Sequence, residues 1–220
     1  MIDVACVLRS GGAYDPRYVH RLREGVARHL PLPHRFVCLS DVPIGGDVVR
    51  YALPAGWRGW WAKQALYQPG LFAGRVMYFD LDTPIVGDLS DLAGYNGLRA
   101  VLQDFNQPAM IGTGMMMWWA DAMEDVFRRF CVDPLKVMAA YPRRSDHFTK
   151  QAMRTPWDWI QEIYPGQVVS SKRHCRHGPP PDARVICMHG RPRLTELAPD
   201  HWMRRFWENG SSPVALKVQA

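Results

Sequence analysis

Two aspartates stand at the end of a short apolar run in the first half of the chain. Asp80 and Asp82 follow the segment Val-Met-Tyr-Phe at 76–79 and are separated only by Leu81. In an extended chain, side chains at positions i and i+2 lie on one face, so both carboxylates should point the same way while Leu81 turns into the core. Adjacent carboxylates repel each other unless a divalent cation, a bound proton or solvent separates them. The spacing alone therefore leaves two interpretations open, a cation site and a strand end with solvated aspartates.

The segments around this pair alternate between predicted strands and predicted helices. An apolar strand at 4–8 is followed by a polar turn, and Asp15 before Pro16 is a typical N-cap with proline at the first helical position. Further apolar runs predict strands at 36–39, 48–53, 76–79, 100–102, 114–117, 168–172 and 183–188. Helices are predicted around 60–66, from Asp121 and from about Ser145. This order is typical of an α/β nucleotide-binding domain, although the GxGxxG dinucleotide fingerprint is absent.

Size and composition narrow the class of protein. The chain has 220 residues, of which 47% are hydrophobic and 22% charged, as in an ordinary globular domain. Its apolar stretches are shorter than the ~20 residues that a membrane-spanning helix needs. The N-terminus carries no basic run before its apolar patch, so it does not predict a signal peptide. Because the five cysteines are odd in number and scattered, we expect free thiols and a cytoplasmic location.

The net charge of +6 favours anionic partners. The positive charge could bind a phosphate-bearing ligand or make a peripheral contact with an anionic membrane. It could equally form a solvated basic surface without a binding function. Nucleic acid is not expected, since the sequence has neither a dense Lys/Arg run nor a recognisable nucleic-acid-binding motif.

The order of these segments resembles that of nucleotide-sugar glycosyltransferases with the GT-A fold. The likeness consists of a short helix carrying Lys63, a Pro-Gly turn, the Asp-Leu-Asp strand end, and a late strand that ends in His-Gly-Arg-Pro at 189–192. It is strongest toward the retaining type that includes glycogenin and bacterial lipopolysaccharide galactosyltransferases. The resemblance implies one α/β domain over 1–195, with a mixed, mostly parallel central sheet flanked by helices. The segment 196–220 is then a C-terminal helix or tail that packs on the domain or binds the acceptor.

The resemblance also implies an activity and a set of site residues. It implies transfer of a sugar from a nucleotide-diphosphate donor, expected to be UDP-linked, to a saccharide, lipid-linked or protein acceptor, with retention of configuration. Asp80, Asp82 and His189 would hold Mn²⁺ or Mg²⁺, which suits oxygen-rich ligation with one imidazole. The positions matched to donor-binding residues are Leu8, Arg9, Ser10, Lys63, Asp80, Leu81, Thr113, Gly190 and Arg191.

Two further carboxylates are candidates for the chemical step. Asp104 lies in a predicted polar loop, and Asp146 matches the first residue of an Asp-Gln pair that faces the donor sugar in the resembling family. Either could stabilise an oxocarbenium-like transition state. His147 replaces the glutamine, and Gly112 replaces an asparagine that contacts the sugar in relatives. Asp146 could equally be a plain helix cap, so both interpretations stay open.

Alternative functions fit parts of the pattern. An Asp-x-Asp after a strand also resembles the haloacid-dehalogenase phosphatases, but Pro84 stands where that family has a small β-branched residue, and an α/β unit precedes the motif. A non-enzymatic basic module that binds nucleotides or polyanions is a further alternative. His174, Cys175 and His177 could suggest zinc, but their spacing is too short for a finger and no second cluster completes four ligands.

Overall fold

A mixed sheet of seven strands forms the centre of the computed structural model, which describes residues 1–142 and 144–209. The strands are β1 (Ile2–Leu8), β2 (His34–Ser40), β3 (Val49–Ala52), β4 (Arg75–Phe79), β5 (Arg99–Gln103), β6 (Ile111–Trp119) and β7 (Asp158–Trp159). Their order across the sheet is β3-β2-β1-β4-β6-β5-β7. Pairing is parallel except on both sides of β6, which runs antiparallel to β4 and β5. The predicted α/β fold with a mostly parallel sheet is confirmed.

Helices cover both faces of this sheet. They are α1 (Pro16–His29), α2 (Ser90–Ala93), α3 (Glu124–Cys131), α4 (Pro134–Ala140), α5 (Ser145–Ala152), α6 (Ile160–Ile163), α7 (Ser171–His174) and α8 (Trp202–Asn209), with 3₁₀ helices at Gly59–Tyr67 and Leu194–Glu196. A parallel pair, β8 (Val168–Ser170) and β9 (Val185–Cys187), forms a second sheet. Within the described ranges, no helix combines the length and apolar character needed to cross a bilayer.

Alternation along β4 shows how the sheet divides the core. Met77 and Phe79 pack on the face covered by α1, whereas Val76 and Tyr78 pack on the face covered by α3 and the first 3₁₀ helix. This is the two-residue period of an extended strand buried on both sides. Asp80 and Asp82 therefore follow directly after a strand whose residues 76–79 are buried on both faces of the sheet.

Helix α1 begins as its sequence predicts. Asp15 is the N-cap, its Oδ1 accepting a hydrogen bond from the backbone N–H of Arg17 at 2.8 Å, and Pro16 occupies the first helical position. The buried residues of the helix recur at helical spacing and include Val19, Leu22 and Val26. The α1 face packed on β1 thus fixes the turn that leads out of the first strand.

Some predicted boundaries are wrong. The strand expected over 168–172 ends at Ser170, because the Ser170 hydroxyl accepts from the backbone N–H of Arg173 at 3.2 Å and caps α7. The helix expected from Asp121 begins at Glu124. The segment around 60–66 is helical, but in the tighter 3₁₀ form.

The last described segment packs on the domain. In α8, Met203 and Phe206 are buried, and the ring of Trp207 lies 4.7 Å from the ring of Tyr18 in α1. Of the predicted C-terminal segment 196–220, residues 210–220 lie outside the described residues, as does Arg143.

Candidate active site

Asp80 lies at the carboxyl end of β4 and is held by three groups. Its backbone N–H donates to the carbonyl of Gly114 at 2.8 Å, which extends the β4–β6 pairing by one residue. Its Oδ1 accepts from the hydroxyl of Tyr78 at 2.5 Å and lies 2.8 Å from Nζ of Lys63. Leu81 is buried, as expected from the strand period. The two aspartates therefore emerge at one strand end, with a lysine already beside the first.

Asp82 is a carboxylate in an environment that disfavours its charge. It is only 7% exposed, and the hydroxyl of Tyr14 donates to its Oδ2 at 2.7 Å. Burial, followed by the negative charge of Asp80, raises the pKa of Asp82 to about 6, although Tyr14 and Arg193 oppose that rise. A cation placed between the two aspartates would remove much of this penalty.

Lys63 and Arg193 supply the positive charge beside this pair, and Arg193 was not among the predicted residues. The guanidinium of Arg193 lies 5.0 Å from the ring centroid of Tyr14, and its charge favours the ionised form of Asp82. Arg191, the predicted diphosphate contact, is 77% exposed at its side chain and forms an ion pair with Glu196. Both arginines line the first cavity.

A second group of ionised side chains lies across β6 from Asp80. The hydroxyl of Thr113 donates to Oδ1 of Asp146 at 2.5 Å, while Lys63 donates to the carbonyl and hydroxyl oxygens of Thr113 at 3.0 and 3.1 Å. Arg144 Nη2 donates to Oδ2 of Asp104 at 2.5 Å and to Oδ2 of Asp146 at 2.8 Å. The N-cap of α5 is Arg144, so the interpretation of Asp146 as a plain helix cap is wrong.

Two cavities meet at these residues. The first, of about 560 Å³, is lined by most of the predicted site residues: Lys63, Asp80, Asp82, Asp104, Thr113, Asp146, His189, Gly190 and Arg191. The second, of about 450 Å³, lies at the carboxyl end of β1 and is lined among others by the predicted Arg9 and Leu81. The residues that line both are Tyr14, Trp60, Lys63, Asp80 and Arg193.

Two predicted donor contacts lie elsewhere. Leu8 is buried in the core at 1% exposure and lines neither cavity. Ser10 turns away toward Asp41, whose carboxylate accepts from its backbone N–H at 2.8 Å and from its hydroxyl at 2.6 Å. The interaction with Asp41 ties the turn after β1 to the end of β2.

His189 lines the first cavity but has a partner of its own. Its Nε2 lies 2.6 Å from the hydroxyl of Ser170, and its ring stacks on Phe105 at 6.0 Å between centroids. Burial, followed by the positive charge of Lys172, lowers the pKa of His189. Across residues 1–142 and 144–209, no three His, Cys, Asp or Glu side chains are grouped to hold a metal ion.

The donor set nevertheless fits one kind of metal site. Asp80 and Asp82 supply two neighbouring carboxylates, one of them buried with an unfavourable charge. Mg²⁺ in phosphoryl sites is held in this way, by one or two carboxylates, with substrate phosphates and water completing the octahedron. The residues therefore suit a cation that binds together with a diphosphate.

Comparisons with solved structures identify the fold. No family model matches the chain, and no curated protein matches it. Among solved structures, the glycosyltransferase GlyE of Streptococcus pneumoniae TIGR4 superposes with a TM-score of 0.72 at 13% identity. A galactosyltransferase, LgtC, solved in complex with donor and acceptor sugar analogs, superposes with a TM-score of 0.65 at 12% identity. The bifunctional glycosyltransferase WbbM superposes with a TM-score of 0.61 at 12% identity.

This chain has the GT-A fold of these glycosyltransferases. The match to LgtC covers 94% of each chain. The matches to GlyE and WbbM cover 99% of this chain but only 63% and 51% of theirs, so the chain spans less than two thirds of those proteins. At such identities the superpositions establish the fold alone. The fold inferred from the Asp-Leu-Asp strand end and its surroundings is confirmed.

Sequence reasoning missed four residues that shape the site: Tyr14, Trp60, Arg144 and Arg193. Two of them carried a local signal. Tyr14 closes the glycine turn after the first strand, and Arg193 follows the His-Gly-Arg-Pro segment directly. Arg144 and Trp60 had none, since an arginine before a helix and an exposed tryptophan are ordinary surface residues.

Proposed function

We propose that this protein is a metal-dependent glycosyltransferase that moves a sugar from a nucleotide-diphosphate donor to an acceptor. The proposal rests on the two adjoining cavities, which share Lys63, Asp80 and Arg193 in their walls. A nucleotide sugar has three parts in a row, and this arrangement offers a place for each. The nucleoside occupies the cavity beside β1, the diphosphate lies at the shared wall, and the sugar occupies the first cavity.

The charges at the shared wall suit a diphosphate leaving group. Lys63 and Arg193 offer fixed positive charge where negative charge accumulates as the glycosidic bond breaks, which lowers the barrier by stabilising the transition state. Asp80 and Asp82 hold Mn²⁺ or Mg²⁺ in this proposal, and His189 remains a predicted further ligand. When bound, the cation neutralises charge on the departing diphosphate.

The other end of the first cavity suits the sugar. Asp104 and Asp146 lie there with Arg144 between them, and their carboxylates can accept hydrogen bonds from sugar hydroxyls. Their negative charge can also stabilise an oxocarbenium-like transition state. Thr113 orients Asp146 through its hydroxyl, and Lys63 in turn orients Thr113.

The finer features of the proposal follow from the family resemblance. We propose a uridine donor, retention of anomeric configuration, and a saccharide, lipid-linked or protein acceptor. The five free thiols suit a reducing compartment, so we place the protein in the cytoplasm. Retention is tested by following the anomeric proton of the transferred sugar by NMR.

Calorimetric titration of UDP with and without Mn²⁺ tests the donor site directly. We expect UDP to bind with metal and to lose that metal-dependent binding in Asp82→Ala. Asp47→Ala is the matched control, because Asp47 is an aspartate whose side chain is 92% exposed, outside both cavities. If UDP fails to bind with metal present, GDP and other nucleotides follow. Failure of all of them contradicts the transferase and favours a phosphatase or a non-enzymatic module.

A further inference from the structure

An open groove with apolar walls lies between the first 3₁₀ helix and α4. Its volume is about 670 Å³. Arg58 is the one charged side chain among the described residues that line it. Apolar side chains form most of the lining: Trp60, Trp61, Leu135, Met138, Ala139 and Pro142. The groove therefore offers extensive apolar contact and few hydrogen-bonding groups.

Trp60 joins this groove to the candidate active site. Its side chain lines the groove and both cavities. A 3₁₀ helix has three residues per turn, so Trp60 lies on the same side of the helix as Lys63, which contacts Asp80. The next residue, Trp61, is buried and stacks on Phe130 with 5.4 Å between ring centroids, which holds the helix in place. A molecule whose reacting group enters the first cavity beside Trp60 can thus extend directly into the groove.

Helix α4 forms the opposite wall of the groove and is unusually apolar for its exposure. Lys136 is its only charged residue, and none of its seven residues, all of them described, is buried. Val137 and Met138 pack partly against the core, whereas Leu135 is 74% exposed. The side of a surface helix that faces water is normally polar. The apolar residues on the exposed side of α4 therefore indicate an apolar binding partner.

The walls of the groove discriminate between possible occupants. A saccharide chain needs a hydrogen-bonding partner for most of its hydroxyls, because unpaired polar groups lose contact with water. Asp104, Arg144 and Asp146 offer such partners in the first cavity, but the groove does not continue them. An alkyl chain needs no such partner and gains free energy when its surface leaves water. A molecule with a sugar at one end and an alkyl chain at the other matches the two sites together.

We propose that the acceptor is a sugar bonded to a long alkyl or isoprenoid chain, and that this chain occupies the groove between the first 3₁₀ helix and α4. The inference rests on the proposed function, since it assumes that sugar transfer takes place in the first cavity. It selects one class of acceptor, and it assigns to that acceptor a binding surface outside the donor cavities.

Alkyl glycosides test the groove directly. Calorimetry compares methyl with octyl β-galactoside, and methyl with octyl β-glucoside, at concentrations below those at which the octyl compounds form micelles. We expect each octyl glycoside to bind at least about tenfold more tightly than its methyl counterpart, because the longer chain is removed from water in the groove. The titrations are made with UDP and Mn²⁺ present and again without them, so that the groove is measured independently of the nucleotide site.

Two variants on neighbouring exposed residues locate the binding surface. Leu135→Asp places a charge in the groove, so the advantage of the octyl glycosides should fall below about threefold. Val132→Asp is the matched control, because Val132 is 85% exposed but lines neither the groove nor the two cavities, and it should keep the full advantage. UDP affinity in the presence of Mn²⁺ and the thermal unfolding midpoint show that the donor site and the fold are intact in each variant.

The outcomes separate this inference from the proposed function. Equal affinity for methyl and octyl glycosides, with metal-dependent UDP binding retained, overturns the inference and leaves the transferase proposal in place. If no nucleotide binds, the proposed function fails, and the role of the groove as an acceptor site fails with it.

Two other occupants of the groove are tested in parallel. Sedimentation with vesicles of equal parts phosphatidylcholine and phosphatidylglycerol that is lost in both Leu135→Asp and Val132→Asp, together with the octyl advantage, would identify a membrane-contacting surface and overturn the inference. A dimer in sedimentation equilibrium that dissociates in Leu135→Asp would assign the groove to a second copy of the chain and would also overturn it.

Discussion

Arg99 and Arg144 are both paired with aspartates, but the two arginines have different roles. The side chain of Arg99 in β5 is completely buried and donates to both carboxylate oxygens of Asp125 at 2.9 and 3.1 Å. It also donates to the carbonyls of Ala122 and Thr155 at 3.0 and 2.5 Å. Arg144, in contrast, is 36% exposed in the first cavity, and its partners are carboxylates of the site.

The difference lies in what each guanidinium connects. Arg99 joins β5, the neighbour of the edge strand β7, to the segments before α3 and β7 through Asp125 and backbone carbonyls. Arg144 joins two side chains that face an open cavity and a prospective ligand. A buried arginine with backbone partners is thus a structural element, whereas one that bridges site carboxylates can adjust charge for a ligand.

Removing each arginine separates these roles most sharply. Arg99→Met leaves Asp125 without its counter-ion and carbonyls without donors, so we expect a loss of about 3–5 kcal/mol in the free energy of unfolding. Arg144→Met is the comparison variant and should lose less, about 1–2 kcal/mol, since its guanidinium is 36% exposed and no backbone carbonyl loses a donor. Urea unfolding followed by circular dichroism measures both. Similar losses would contradict the distinction.

The pH dependence of stability gives a second test on the structural side. Burial opposes ionisation of Asp125, but hydrogen bonds from Arg99 and from the backbone N–H of Arg154 outweigh it and hold the pKa of Asp125 below its ordinary value. A carboxyl group whose pKa is lower in the folded than in the unfolded protein stabilises the fold at pH values above its unfolded-state pKa of about 4. That stabilisation is lost as the pH falls through the folded-state pKa. Asp125→Asn should therefore cost about 2 kcal/mol at pH 7.

The same comparison at lower pH completes that test. As the pH falls from the unfolded-state pKa of about 4 through the lower folded-state pKa, the stabilisation by the charge of Asp125 is lost, so the difference in unfolding free energy between the unaltered protein and Asp125→Asn should shrink toward zero. Chemical denaturation at a series of pH values follows this convergence. A difference that stays constant from pH 7 to pH 3 would show that the charge of Asp125 is unimportant.

On the functional side, Arg144 should affect turnover more than folding. In Arg144→Met the two carboxylates repel each other and lose their fixed geometry, so we expect hydrolysis or transfer of the donor to slow by about tenfold. Arg144→Lys should recover only part of this loss, because an ammonium cannot reproduce the planar fork. Steady-state kinetics with the best donor gives kcat and KM for each variant, and an unchanged kcat would refute the positioning role.

Replacing Arg193 or Arg191 should have the smallest effects of these variants, and both effects should be on UDP binding. Arg193 packs on Tyr14 at the shared wall, so Arg193→Ala should weaken UDP binding about fivefold, equivalent to about 1 kcal/mol. Arg191→Ala should change it less than about twofold, since that side chain is exposed and paired with Glu196. Titration of UDP in the presence of Mn²⁺ compares them. A larger effect at Arg191 would restore the assignment made from the sequence.

The sequence predicted those parts of the fold and site that local patterns determine. The strands, the Asp15 cap and the burial of Leu81 between Asp80 and Asp82 follow from short-range periodicity and turn chemistry, and the structure has them. The end of β8 at Ser170 was missed because a hydroxyl cap competes with a run of residues that favours a strand.

Long-range contacts lay beyond such reasoning. The hydrogen bond from Tyr14 to Asp82 joins residues 68 positions apart, and Arg144 meets Asp104 across 40 positions. No local pattern encodes either contact, because each depends on how the strands are ordered in the sheet. The resemblance to a family supplied Asp146, and the predicted polar loop supplied Asp104, but neither indicated the arginine between them.

The position of β6 sets a limit on how this site can change. The strand pairs with β4 and β5, and its residues Gly112, Thr113 and Gly114 lie between Asp80 on one side and Asp104 on the other. Backbone hydrogen bonds from Asp80 to Gly114 and from Asp104 to Met110 anchor the two ends of the cavity to β6, while the register with β5 shifts between Val101 and Leu102, beside Thr113. A slip of one residue would turn Thr113 to the opposite face. New donor preferences can arise by exchanging side chains around these anchors, while insertions or deletions in β6 would dismantle both ends together.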